Sequence, residues 1–417
     1  MKVCLKAQPL SGCIEAIPSK SDAQRAILLA SLATGESQIE LASLSQDSQA
    51  CLDCIQQLGC QVQLLSHGYR MIPQAQPMKD EFTVGESATC LRLLLPILAC
   101  HNQGQVCRII RQGSLIKRHN EPFRELFTKA GLTWEEKGDS IYLTGRLTAG
   151  HYELPGNVSS QFISGLLIAL ASLDQPSRLD ITTHLESAAY VKMTLASQRA
   201  FGQEVTYDAD QRCFEIKGGG YQACHYKVEG DWSNALYWLL AGVQVTGLNP
   251  HSLQADRQAL TYLEDLGWQC QNGGQTYQLL AAPSRFRPYL QIDASQLPDA
   301  VPLLALAACL QPGESQIIKA HRLRLKESDR LSSTVKLLKA CGQRIQATDS
   351  GLIIEGGQPL SGGQIDGAND HRIVMTAAIA ATFAQDPLII NDAQAVAKSY
   401  PHFFEDYALL GGSYNVL

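Results

Sequence analysis

The chain repeats one design six times: a polar cluster able to cap a helix, then ten or so small or aliphatic residues. The first three copies open at Ser19-Lys-Ser-Asp22, Gly85-Glu-Ser-Ala-Thr89 and Gly156-Asn-Val-Ser-Ser160. The other three open at Gly230-Asp-Trp-Ser233, Ser295-Gln-Leu-Pro-Asp299 and Asn369-Asp-His371. Lys20, Thr89, Ser160, Ser233, Asp299 and His371 hold equivalent places, so the period is roughly 70 residues and six units account for all 417. A helix that is apolar all round has to be buried all round. Each copy is therefore expected at the middle of its unit, with sheet and a second helix around it. Strands are expected around 181–185, 351–357 and 387–392, beside Gly-rich turns. Amphipathic second helices are expected over 47–58, 121–130, 191–201 and 330–341. Six units in two groups of three make two similar α/β domains.

Length supports that division, because 417 residues exceed what one ordinary core holds. A net charge of -6 argues against a nucleic-acid partner, whose footprint is basic. No apolar run reaches the roughly 18 residues of a membrane helix, and the N-terminus lacks a signal or transit pattern. A cytoplasmic, monomeric protein is expected. Thirteen cysteines lie scattered. Cys51-Leu-Asp-Cys54 has no second pair to complete a zinc site, so reduced, mostly buried thiols are expected and no metal.

The polar clusters have a plain reading: Ser, Asp and Asn satisfy orphan N–H groups, and Ser19-x-x-Asp22 is a capping box. The same clusters also carry Lys20, Arg25, Arg92, Ser159, Ser160, His371 and Arg372. Helix N-termini attract anions, so cations and hydroxyls gathered there read as sites for phosphates and carboxylates.

Ile17-Pro-Ser-Lys-Ser-Asp-Ala-Gln-Arg25, Asn157-Val-Ser-Ser-Gln161, Arg324-Leu-Lys-Glu-Ser-Asp-Arg330, Asn369-Asp-His-Arg372 and Lys398-Ser-Tyr-Pro401 stand in order along nearly the whole chain. With these motifs the chain resembles the 5-enolpyruvylshikimate-3-phosphate synthases. The resemblance implies two domains, each a threefold repeat of a βαβαββ-like unit with buried apolar helices, an inside-out α/β barrel. One domain would span 19–228 and the other 1–18 with 229–417, hinged near 16–20 and 227–232. It implies transfer of the enolpyruvyl group of phosphoenolpyruvate to the 5-hydroxyl of shikimate 3-phosphate, releasing phosphate, without metal or organic cofactor.

By the same resemblance, Lys20, Ala88, Arg118, Gln161, Arg330, Arg372 and Lys398 would hold phosphoenolpyruvate. Lys20, Ser21, Arg25, Ser159, Ser160, Gln161, Ser187, Tyr190, Asp299, Arg322 and Lys326 would hold shikimate 3-phosphate. Guanidinium groups suit such anions because they bind in bidentate fashion. The reaction needs acid–base groups on both sides of a tetrahedral adduct. Asp299 would sit near the attacking hydroxyl, Glu327 near the methylene carbon and Lys20 between the substrates. Lys326 is expected to help hold the charge state of Glu327. Asp299 has a plainer reading as a first-turn helix carboxylate.

Several positions depart from the family pattern. Ala88 stands where a Gly lines the phosphoenolpyruvate pocket, and its methyl group would crowd the longer glyphosate molecule. Low glyphosate sensitivity is the expectation. Glu86 replaces a neutral amide, His119 a proline and Arg322 an Asn, and Ala188 and Lys192 alter the Ser187 loop. The alternatives are the sister UDP-N-acetylglucosamine enolpyruvyl transferases and a non-catalytic relative that binds phosphorylated metabolites. The first carry a reactive Cys before an Arg-Pro pair; here 111–118 has none and Cys107 lies too far upstream. Mere anion binding has no use for two retained carboxylates.

Overall fold

Every one of the six apolar segments forms a helix in the computed structural model, which describes residues 1–74, 78–282 and 287–417. In chain order the helices are α1 (Lys20–Leu32), α2 (Gln46–Gln57), α3 (Ala88–His101), α4 (Glu121–Lys129), α5 (Ser160–Ala171) and α6 (Ala188–Ala200). They continue with α7 (Trp232–Leu240), α8 (Ala259–Asp265), α9 (Val301–Cys309), α10 (Arg330–Ala340), α11 (His371–Ala381) and α12 (Phe403–Leu409). The odd-numbered helices are the apolar ones. Residues 301–309 of α9 and 371–381 of α11 are buried without exception.

Each unit adds a four-stranded sheet built to one plan: two parallel strands, then an antiparallel pair. In the third unit His151–Leu154 runs parallel to Ser177–Ile181, which is antiparallel to Cys213–Ile216. Three sheets recruit strands from far along the chain. His225–Lys227 pairs with Ser37–Glu40, and Cys13–Glu15 with Gln244–Thr246. Val3–Leu5 lies between Leu388–Asn391 and Tyr414–Val416. These pairings gather the chain into two compact units, Pro18–Val228 and Met1–Ile17 with Glu229–Leu417. Each has its own apolar core around three buried helices.

Three elements differ from the sequence reading. The strand expected at 181–185 runs over Ser177–Ile181, where Ser177, Leu179 and Ile181 alternate inward. Thr183, beyond its end, accepts hydrogen bonds from the amides of Gly156 (2.9 Å) and Asn157 (3.1 Å) and so anchors the loop ahead of α5. The amphipathic α8 and α12, at seven residues each, were too short for periodicity to reveal. The cysteine reading fits: nine of the thirteen are buried, and all are free thiols.

One close approach matters for the site. A Cβ on Gly165 of α5 would stand 2.1 Å from the carbonyl oxygen of Arg92 in α3. Glycine costs about 1 kcal/mol inside a helix, and here it is what lets α3 and α5 touch backbone to backbone. Truncation of a fully buried side chain in this layer, Leu167→Ala, is expected to cost about 2–5 kcal/mol. It should appear as a lower urea midpoint for the unit that contains it. Leu64→Ala, at a position 76% exposed, should change stability by under about 0.5 kcal/mol.

Candidate active site

In the unit spanning 18–228, the helix caps organise the polar residues. Ser19, Ser45, Ser87 and Ser159 accept from the N–H groups of α1, α2, α3 and α5. Ser19 accepts from Asp22 N–H at 3.5 Å, and the Asp22 carboxylate accepts from the Tyr226 hydroxyl at 2.6 Å. Lys20 then stands at the mouth of α1, where its ammonium meets Asp47 at 2.9 Å. Gln24 donates to the Asp47 carbonyl (3.0 Å) and to the Ser87 hydroxyl (2.9 Å), locking α1, α2 and α3 at their starts.

The first turns of α3 and α5 meet through Arg92. Its guanidinium donates to Gln161 Oε1 (2.9 Å) and the His119 carbonyl (2.9 Å), and lies 4.6 Å from the centre of the Phe162 ring. Gln161 in turn donates to Thr89 (2.7 Å). Burial, and then the neighbouring Arg118 cation, push Arg92 down to about 9. Arg118 Nε is buried with no hydrogen-bond partner among the described residues. Two guanidiniums acting on one another, one with an orphan donor, make a place for an anion. Ala88, 5% exposed, opens α3 beside them.

Arg25 is 1% exposed. It donates to Thr194 (2.8 Å), the Ser21 carbonyl (2.7 Å) and the Tyr190 carbonyl (3.1 Å), tying α1 to α6. Ser187, just before α6, adopts a left-handed backbone at φ 53°, which non-glycine residues rarely do. Ser159, Ser160 and Ser187 thus lie at the N-termini of α5 and α6. Of the departures, Glu86 accepts from the Ser114 amide at 3.2 Å, and His119 pairs with Glu121 at 3.4 Å.

The other unit holds the acids. Asp299 lies in the turn ahead of α9, just before the cap residue Ala300. Its carboxylate meets Arg330 Nη1 at 2.7 Å and Lys326 Nζ at 3.2 Å. Burial would raise the Asp299 carboxyl, but Lys326, Arg330 and Arg372 hold it well below the ordinary range. Arg330 also grips Asp370 through Nε (2.9 Å) and Nη2 (3.1 Å). Burial opposes its charge, yet Asp370, Asp299 and Glu327 raise its affinity for the proton. The Lys326 ammonium is thereby directed to Asp299, not to the adjacent Glu327 as the sequence reading had it. Glu327 instead meets His371 Nδ1 at 2.9 Å and Lys398 Nζ at 3.8 Å. Lys398 also donates to the Asn369 carbonyl at 2.7 Å, and Arg322 to the Ser295 carbonyl at 2.6 Å.

Arg372 differs from Arg330. It is 4% exposed, and its Nε and Nη1 have no hydrogen-bond partner among the described residues. Burial would lower its pKa, but Tyr237, Asp299, Asp256 and Asp231 raise it, so the group is a firm cation. A buried cation with two unused donors is built for an oxyanion. Glu327, Asp370 and His371 are close enough to share a metal ion. The arginine and lysine on the same carboxylates already neutralise them, so the donor set does not fit one. Sequence reasoning passed over Asp47, Asp256 and Asp370. Asp370 was legible as the cap inside Asn369-Asp-His-Arg372, the others only through their partners.

Comparison with known proteins gives three results. The family model for EPSP synthase (3-phosphoshikimate 1-carboxyvinyltransferase) matches residues 5–407. The 3-phosphoshikimate 1-carboxyvinyltransferase of Clostridium acetobutylicum is 37% identical over 427 residues, covering 98% of this chain and 97% of that one. Its counterpart in Clostridioides difficile is 36% identical over 431 residues, with 98% and 97% covered. Among solved structures, an EPSP synthase from Acinetobacter baumannii superposes with TM-score 0.78 at 23% identity, covering both chains completely. The enolpyruvyl transferase NikO of Streptomyces tendae does so with TM-score 0.79 at 17% identity, covering 99% and 98%.

The buried Arg330–Asp370 pair makes a stability prediction. Removing one partner, as in Asp370→Asn, should cost about 3–5 kcal/mol at pH 7. Burial would raise the Asp370 carboxyl from 3.8, but Arg330 depresses it on balance. Its contribution is therefore present above about pH 3.8 and lost as pH falls through the depressed value. Denaturant titrations at pH 7 and pH 3 should show the gap between parent and variant narrowing in acid.

Proposed function

This chain belongs to the EPSP synthase (3-phosphoshikimate 1-carboxyvinyltransferase) family, and from that premise we infer which of its residues serve the two substrates. It is a transferase that moves the enolpyruvyl group of phosphoenolpyruvate to the 5-hydroxyl of shikimate 3-phosphate, releasing phosphate on the way to aromatic amino acids. The observation carrying the site assignment is Arg372, a buried cation with two donors that no described residue accepts.

The substrates bring two carboxylates and two phosphates. Phosphoenolpyruvate is assigned to Arg372, Arg118, Lys398, Lys20, Gln161 and Arg330, with Ala88 as a wall. Arg330 already serves two carboxylates, so it acts chiefly by shaping the site. Shikimate 3-phosphate is assigned to Ser159, Ser160 and Ser187 for its phosphate, and to Ser21 and Arg25 for its carboxylate. Gln161, Tyr190, Asp299, Arg322 and Lys326 supply its further contacts.

Asp299 is ionised and so able to accept the proton of the attacking hydroxyl, but the cations beside it make it a weak base. Substrate anions that draw Lys326 toward themselves strengthen it. Glu327 protonates the methylene carbon, with His371 at 2.9 Å to resupply the proton. Loss of phosphate and a methyl proton from the tetrahedral adduct completes the transfer. The chain works as a cytoplasmic monomer. Among the described residues no helix is long and apolar enough to cross a membrane.

Phosphate release from phosphoenolpyruvate that requires shikimate 3-phosphate is the expected activity. Release dependent on UDP-N-acetylglucosamine, or none, would overturn the reading. Glu327→Gln is expected to lower kcat by about 100-fold or more, as loss of an acid–base group does, and turnover at the parent rate would remove Glu327 from that role. The Ala88 methyl should keep glyphosate inhibition weak. Inhibition titrations should show Ala88→Gly binding glyphosate about 5- to 150-fold more tightly, one overpacking contact being worth about 1–3 kcal/mol.

A further inference from the structure

Asp256 lies in the 3-10 turn Ala255–Gln258 and is completely buried. The turn is held rigidly: Gln254 accepts from the Trp232 amide (2.9 Å) and donates to Glu229 (3.0 Å) and the Gly230 carbonyl (2.8 Å). Ser233, in the first turn of α7, donates its hydroxyl to Asp256 Oδ2. Oδ1 is buried with no hydrogen-bond partner among the described residues. An orphan buried acceptor costs stability. Three charged groups face it: Asp299 from the loop before α9, Arg372 from α11 and Asp231 from the start of α7. Burial first, and the Asp299 charge next, push its carboxyl up to about 6, against the pull of Arg372 and Ser233.

The two orphan donors of Arg372 and the orphan oxygen of Asp256 are thus neighbours in charge without being hydrogen-bonded. We propose that Asp256 is a positioning residue that acts through Arg372 and Asp299. It offsets the guanidinium charge while leaving its N–H groups for the substrate anion, and by repulsion it makes Asp299 a better base. This rests on the assignment of phosphoenolpyruvate to Arg372. A negative charge at that place weakens anion binding and speeds the proton step, so one residue raises KM and kcat together. Its cost is visible in stability: a carboxyl raised from 3.8 to about 6 in the fold destabilises the protein increasingly as pH rises across that window.

The test is steady-state phosphate release by the full chain, with phosphoenolpyruvate and shikimate 3-phosphate, from pH 5.5 to 8.5. At pH 7.5, Asp256→Asn should lower both KM for phosphoenolpyruvate and kcat, each on the order of tenfold. Taking variant-to-parent ratios cancels the titration of the substrate's own phosphate. The ratios should approach one toward pH 5.5, where the parent's Asp256 becomes protonated. Thermal unfolding at pH 7.5 should find the variant more stable than the parent. Ser233→Ala, which removes a donor to the ionised form, should let Asp256 protonate at higher pH, so its own KM and kcat ratios to the parent should both dip below one just above the parent's transition and return toward one on either side; this carries the test if Asp256→Asn does not fold. A KM that rises as kcat falls, ratios independent of pH, or no such dip in Ser233→Ala would overturn the proposal. A parent without shikimate 3-phosphate-dependent release would instead sink the functional assignment itself.

Discussion

Six helices too apolar to face water are the constraint from which the rest of the structure follows. Their middles are buried against other protein atoms, so polar chemistry gathers toward their N-terminal turns. There the backbone leaves N–H groups over, and the capping serines and aspartates that satisfy some of them also fix where Lys20, Arg92, Gln161 and Arg372 stand. The core and the site are therefore two ends of the same elements. Gly165 shows the coupling most directly: the absence of a side chain lets α3 approach α5, and Arg92 then reaches Gln161.

The cations fall into two kinds. Arg330 is surrounded by Asp370 and Asp299, and Arg25 by oxygens of three residues; both hold the scaffold in a set geometry. Arg372 and Arg118 keep donors that nothing described accepts. Leaving a buried donor unsatisfied costs of order 1–3 kcal/mol or more, which is tolerable where a substrate supplies the missing oxygen. Arg92, lowered to about 9 beside Arg118, shows the same tension from the electrostatic side. Acids are treated in a parallel way: Asp299 and Asp370 are held ionised by cations, whereas Asp256 is left raised and half satisfied.

Much of this was legible beforehand, and for identifiable reasons. Helix periodicity depends on near neighbours in sequence, so the six apolar helices and their caps could be read directly. Motifs such as Arg324–Arg330 and Asn369–Arg372 keep their chemistry within a few residues. Lys326 was misjudged because its neighbour in sequence is Glu327, while its partner in space is Asp299, 27 positions away. The strand at Ser177–Ile181 was displaced for a similar reason. Thr182 and Thr183 have strand-forming side chains, but tertiary hydrogen bonds from Gly156 and Asn157 commit Thr183 to a loop.

By itself the sequence determined the six units, their central helices, the residues at each helix mouth and the family of reactions those residues belong to. All of these depend on spacing along the chain or on composition within a short window. Only the tertiary structure decided which charges meet: Asp370 with Arg330, His371 with Glu327, and Asp256 facing Arg372 without bonding it. Coulomb energy and desolvation depend on distance and burial in three dimensions, and neither quantity is written in the order of residues.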